Sequence, residues 1–113
     1  MNQFGLPDSA MTVIIDGISS RHEIEKAIIF GSRVIGNYKK GSDIDIALFG
    51  TMVTFGITTD LSADLNERTT QPYFFDLINF NSIDNVAMKK HIEEFGKIIF
   101  DRSTGYPSNS ISS

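Results

Sequence analysis

The chain has 113 residues, 41% hydrophobic and 21% charged, with a formal net charge of −4 and no cysteine. This length suits one domain around a single core, and no stretch approaches the roughly 18 apolar residues of a membrane span. The acidic balance argues against a broad nucleic-acid face, and the lack of cysteine excludes disulfides and thiolate metal sites, as expected in a reducing cytoplasm.

Asp8 and Asp16 interrupt the first 20 residues, so no secretory signal is expected there. Leu6-Pro7-Asp8-Ser9 is a helix-start signal, and Met11, Ile14, Ile15 and Ile18 follow at helical spacing. Glu23 to Phe30 contains AIIF, a short buried strand ended by Gly31. Ser32 to Gly36 suits a short helical turn, and polar Asn37 to Ser42 is a loop. Asp43 to Phe49 is a second strand. Thr54 to Arg68 places Ile57, Leu61 and Leu65 on one helical face, with Phe55 near its start. Pro72 precedes a third strand, Tyr73 to Phe80. Asn81 or Ser82 can cap a last helix in which Met88, Ile92 and Phe95 share a face, ending near Gly96. Ile98 to Phe100 fits either a frayed end or an edge strand.

The order α-β-α-β-α-β-α predicts an α+β fold: a small mixed sheet of three or four strands with helices packed on it. Residues 1–102 form the domain, and the Ser-rich stretch 103–113 is expected to be a flexible tail.

Asp43 and Asp45 stand at alternate positions of an otherwise apolar strand, where a carboxylate is disfavoured without a partner. Residues two apart in a strand point the same way, so both project from one face while Ile44, Ile46 and Leu48 face the core. Asp76, inside YFFDLIN, joins them if the second and third strands are neighbours. Three adjacent carboxylates repel, and a hard divalent cation such as Mg²⁺ removes the conflict. Gly31-Ser32, where a strand turns into a helix, offers backbone N–H groups and a hydroxyl to an anion. A dication site beside an anion site matches the needs of a Mg²⁺-bound nucleoside triphosphate. Arg33, Lys39 and Lys40 add local positive charge. His22 and His91 lack ligand spacing and are taken as ordinary surface or helix residues.

The pattern Gly31-Ser32, ten residues, Asp43-Ile44-Asp45 resembles the signature of the minimal nucleotidyltransferases of the DNA polymerase β superfamily. The local text GSRVIGNYKKGSDIDIALFG is similar to the family's usual form, including Arg33, Gly36 and Ser42, and LNERTTQPYFFDLINF resembles the segment leading into its third acid. The resemblance covers about residues 4 to 102. It implies a nucleotidyltransferase fold and two Mg²⁺ ions held by Asp43, Asp45 and Asp76, with Asp76 helping to deprotonate an acceptor hydroxyl. It also implies phosphate contacts from Gly31 and Ser32, with Arg33 and Ser42 in the same nucleotide-binding segment. The implied reaction moves a nucleoside monophosphate, AMP from ATP, to a hydroxyl. Many stand-alone members are antitoxins paired with a HEPN-domain RNase toxin, and some adenylylate a toxin tyrosine. A partner toxin and a cytoplasmic location, with no direct nucleic-acid or membrane contact, are therefore the expectation. Self-association is left open. The competing reading is a non-catalytic antitoxin or nucleotide-sensing module that acts by occlusion.

Overall fold

In a computed structural model of the chain, residues 3–37, 39, 43–69 and 73–107 are described. Four helices and four strands follow one another: α1 Asp8–Ser19, β1 Lys26–Phe30, α2 Ser32–Ile35, β2 Ile44–Phe49, α3 Phe55–Arg68, β3 Phe75–Asn79, α4 Val86–Phe95 and β4 Lys97–Asp101. A 3-10 turn, Phe80–Ser82, leaves β3. No described helix is long and apolar enough to cross a membrane.

The strands lie in the order β3-β2-β1-β4. β1 runs antiparallel to β2 and β4, while β2 and β3 are parallel. A parallel pair needs a crossover, and α3 supplies it. The sheet is therefore mixed, with four strands. Alternation along each strand divides the apolar residues between two faces. Ala27, Ile29, Ile44, Ile46, Leu48, Phe75 and Ile99 form the larger core with Ile14 and Ile18 of α1 and Leu61 and Leu65 of α3. Ile28, Phe30 and Ala47 form a smaller cluster on the other face with Ile92 of α4 and Ile83.

Local chemistry sets the helix ends. The Thr54 hydroxyl accepts from the Ile57 N–H at 3.2 Å, capping α3. The last helix starts later than its sequence suggests: Asn85, not Asn81 or Ser82, caps α4 by accepting from the Met88 N–H at 3.0 Å. Asn81 and Ser82 are used first to turn the chain out of β3, where the Asn79 side chain accepts from the Asn81 N–H. Of the face shared by Met88, Ile92 and Phe95, only Ile92 is buried.

Ile98 to Phe100 is strand rather than frayed helix, because β1 offers it a full antiparallel edge. Residues 103–107, assigned by composition to a flexible tail, make a turn in which Tyr106 pairs back to Asp101. The remainder, 108–113, lies outside the described residues.

Candidate active site

The register of β2 and β3 sets Asp45 directly opposite Asp76. Opposed residues on neighbouring strands project to one face, here the face of Ile28, Phe30 and Ala47 rather than the main core. Asp43 immediately precedes β2 and, two positions before Asp45, shares that face. Asp43 and Asp76 are exposed and Asp45 is half-buried. Asp45 bears the cost of this crowding. Burial first, then the negative charges of Asp76 and Asp43, push its carboxyl from 3.8 up to about 6, while His91 acts in the opposite direction.

Among the described residues no three His, Asp or Glu side chains are gathered closely enough to hold an ion, so the ligand set is open. The donor chemistry nevertheless fits a hard dication. The three groups are oxygen donors, and their mutual repulsion is the imbalance that such an ion would relieve.

β1 delivers the complementary part. Phe30 pairs with Asp45 across the antiparallel ladder, so the next residue, Gly31, lands against the acid. Gly31 has φ +83° and ψ −153°, a region essentially reserved for glycine. A Cβ at this position would also collide with Asp45 Oδ2. Both constraints demand glycine.

The helical turn that follows has four residues, too short for a macrodipole of consequence. Its contribution is local. Ser32 is half-buried, and neither its hydroxyl nor its N–H has a hydrogen-bond partner among the described residues.

Arg33 departs from the sequence expectation. It is 2% exposed, its guanidinium donates to the Phe4 carbonyl at 2.9 Å, and it faces the Tyr73 ring. Successive residues of a helical turn point about 100° apart, so Ser32 can line the site while Arg33 enters the interior. Arg33 thus anchors the N-terminal segment rather than facing the acids. Ser42, grouped with the nucleotide-binding segment, and Tyr38 and Lys40 lie outside the described residues. Lys39 is exposed.

Sequence reasoning missed His91. The imidazole Nε2 accepts the Gly31 N–H at 3.1 Å, and its ring lies edge-on to Phe30 and tilted against Phe95. Sixty residues separate the partners. The only usable signal was that His91 precedes Ile92, the fully buried residue of α4.

On the outer side of β3, a cleft of about 380 Å³ reaches from Asp76 to the start of α3. Phe55 and Phe74 stand exposed at its rim, with Thr58, Thr59 and Ser62 along its wall. α3 closes the strand edge at Phe75, whose N–H donates to Asn66 Oδ1 and whose carbonyl accepts from the Ser62 hydroxyl. No such closure exists at Leu77 among the described residues, and the cleft opens there.

Several solved structures share the fold. One, described as a toxin–antitoxin with AMP-PNP, aligns at TM-score 0.68 and 20% identity over 80% of this chain and 73% of that one. Another, the toxin–antitoxin MntA-HepT, aligns at TM-score 0.65 and 17% identity over 87% of this chain and 75% of that one. No curated protein matches the chain. Residues 13–105 match the polymerase beta nucleotidyltransferase family. That span includes the Gly31-Ser32 turn and all three carboxylates, and with the mixed sheet that assembles them it places the chain in the polymerase β nucleotidyltransferase family.

Proposed function

We propose that this protein transfers AMP from ATP to a hydroxyl on a partner protein, a tyrosine of a HEPN-type RNase toxin, and so acts as an antitoxin. The observation that carries the reading is the in-register pair Asp45 and Asp76 with Gly31, the residue before Ser32, packed against Asp45. Further support comes from the shared fold with a toxin–antitoxin protein described with AMP-PNP.

In this reading Ser32 donates to the phosphates, and the bare Cα of Gly31 leaves room for the Asp45 carboxylate beside them. Asp43, Asp45 and Asp76 would hold Mg²⁺, which when bound supplies charge neutralisation for the acceptor oxygen and the departing pyrophosphate. The acceptor oxygen forms a bond to the α-phosphorus, the bond from that phosphorus to the bridging oxygen of pyrophosphate breaks, and the acceptor proton passes to Asp76. The cleft beside Asp76 is the side from which a protein acceptor can reach it.

Incubating the protein with ATP, Mg²⁺ and the toxin encoded beside it should add one AMP to the toxin, read as intact mass. Asp43→Asn should add none. An unchanged toxin mass with wild-type protein, or equal labelling by Asp43→Asn, would refute transfer.

The open ligand set and the exposed Phe55 and Phe74 favour a second reading, neutralisation by occlusion. In that case Asp43→Asn protects cells from the toxin as well as wild type does.

A further inference from the structure

We propose that His91 is a positioning residue of the nucleotide site: by holding the Gly31 N–H it fixes the peptide that turns Ser32 toward the phosphates. The inference rests on the nucleotidyltransferase reading above and adds to it a residue from α4, an element that carries none of the signature.

An amide can only donate, so His91 Nε2 is the acceptor of the 3.1 Å bond. The bonded peptide joins Phe30, the last residue of β1, to Gly31, whose backbone takes a conformation open to glycine alone. Glycine has many conformations open to it, so its surroundings must select this one. Three contacts do so here. Phe30 is locked in the ladder opposite Asp45, the Asp45 carboxylate packs on the Gly31 Cα, and His91 holds the amide. The first two fix position, and the hydrogen bond adds a side-chain hold on the peptide's rotation to the backbone bonds that the Gly31 carbonyl accepts from the Val34 and Ile35 N–H groups.

α4 makes that bond dependable. Ile92 is fully buried against Ile28 and Phe30, which pins the helix one residue from His91. The imidazole ring is held between Phe30 and Phe95. Because the Gly31 amide is directed to His91, the donors left for phosphate are those of Ser32, so the direction of the Gly31 peptide decides where they point. A histidine used for packing alone would need no acceptor on this amide.

Three proteins separate these roles: wild type, His91→Phe, which keeps an aromatic ring but no acceptor, and His91→Gln, which restores an acceptor of similar reach. Affinity for AMP-PNP with Mg²⁺ should fall about fivefold in His91→Phe and stay within about twofold of wild type in His91→Gln. With ATP the loss should appear in KM, with kcat nearly unchanged. Amide hydrogen exchange at Gly31, followed by NMR in the nucleotide-free protein, should accelerate in His91→Phe and recover in His91→Gln. Wild-type affinity in His91→Phe, equal weakness in both variants, or Gly31 exchange indifferent to both would overturn the proposal. A wild-type protein that ignores AMP-PNP would instead overturn the nucleotide reading, and the exchange measurement would still judge the hydrogen bond.

Discussion

Asp45→Asn should sharply slow transfer and, in the metal-free protein, stabilise the fold. Both effects come from the same crowding. The folded state raises the Asp45 carboxyl from 3.8 to about 6 through burial and the charges of Asp76 and Asp43. A folded-state value above the unfolded one means that the folded protein holds a proton which the unfolded chain has already released. Stability therefore falls as pH rises from about 4 to about 6 and stays lowered above that. Asparagine never ionises, so it escapes this penalty. Discounted for partial solvent access, the relief is about 1–2 kcal/mol at pH 7.5, or roughly 4–8 °C in Tm. The gap between variant and wild type should shrink toward zero near pH 4. Adding Mg²⁺ at pH 7.5 should raise Tm for wild type and much less for the variant, since ligand stabilises only a state that binds it. Transfer should fall by roughly 10²- to 10³-fold, as expected when a group supporting transition-state charge is removed. A Tm gap that does not change with pH would separate Asp45 from the crowded trio.

Gly31→Ala should damage transfer through both its backbone and its neighbour. The alanine would occupy a glycine-only backbone region, costing about 1–3 kcal/mol. Its Cβ would also displace the Asp45 carboxylate. Gly36→Ala is the natural control: φ is again positive, at +88°, but nothing lies within 4 Å of the added methyl. Gly36→Ala should therefore lose Tm by backbone strain alone and keep most activity. Gly31→Ala should lose more Tm and fall below detection in transfer. Similar losses in the two variants, measured by thermal unfolding and initial rates, would mean that the approach of Gly31 to Asp45 is unimportant.

Strand periodicity made the carboxylates legible. Asp43 and Asp45 alternate with Ile44, Ile46 and Leu48, and once β2 and β3 are neighbours the parallel register sets Asp45 opposite Asp76. The α3 helix was equally readable, because Thr54 is a strong cap and Leu61 and Leu65 mark its buried stripe. The C-terminal elements were harder. Asn81, Ser82 and Asn85 are all competent caps, and only the need to turn the chain out of β3 selects Asn85. Ile98 to Phe100 becomes a strand because β1 has a free edge, a property of the sheet rather than of those residues. Arg33 sits inside a signature segment, yet the rotation of the turn buries it under Phe4 and Tyr73. His91 meets Gly31 through the docking of α4 on β1, which no local pattern encodes.

The proposed function requires that Asp43, Asp45 and Asp76 grip a divalent ion beside a nucleotide to which Ser32 donates. Crystals grown with Mn²⁺ and AMP-PNP test this directly, since the anomalous signal locates the ion without assumption. Manganese is expected about 2.1 Å from carboxylate oxygens of Asp45 and Asp76, with the phosphates at Ser32. Nucleotide bound with its metal away from this strand pair, or at a face remote from Gly31, would contradict it.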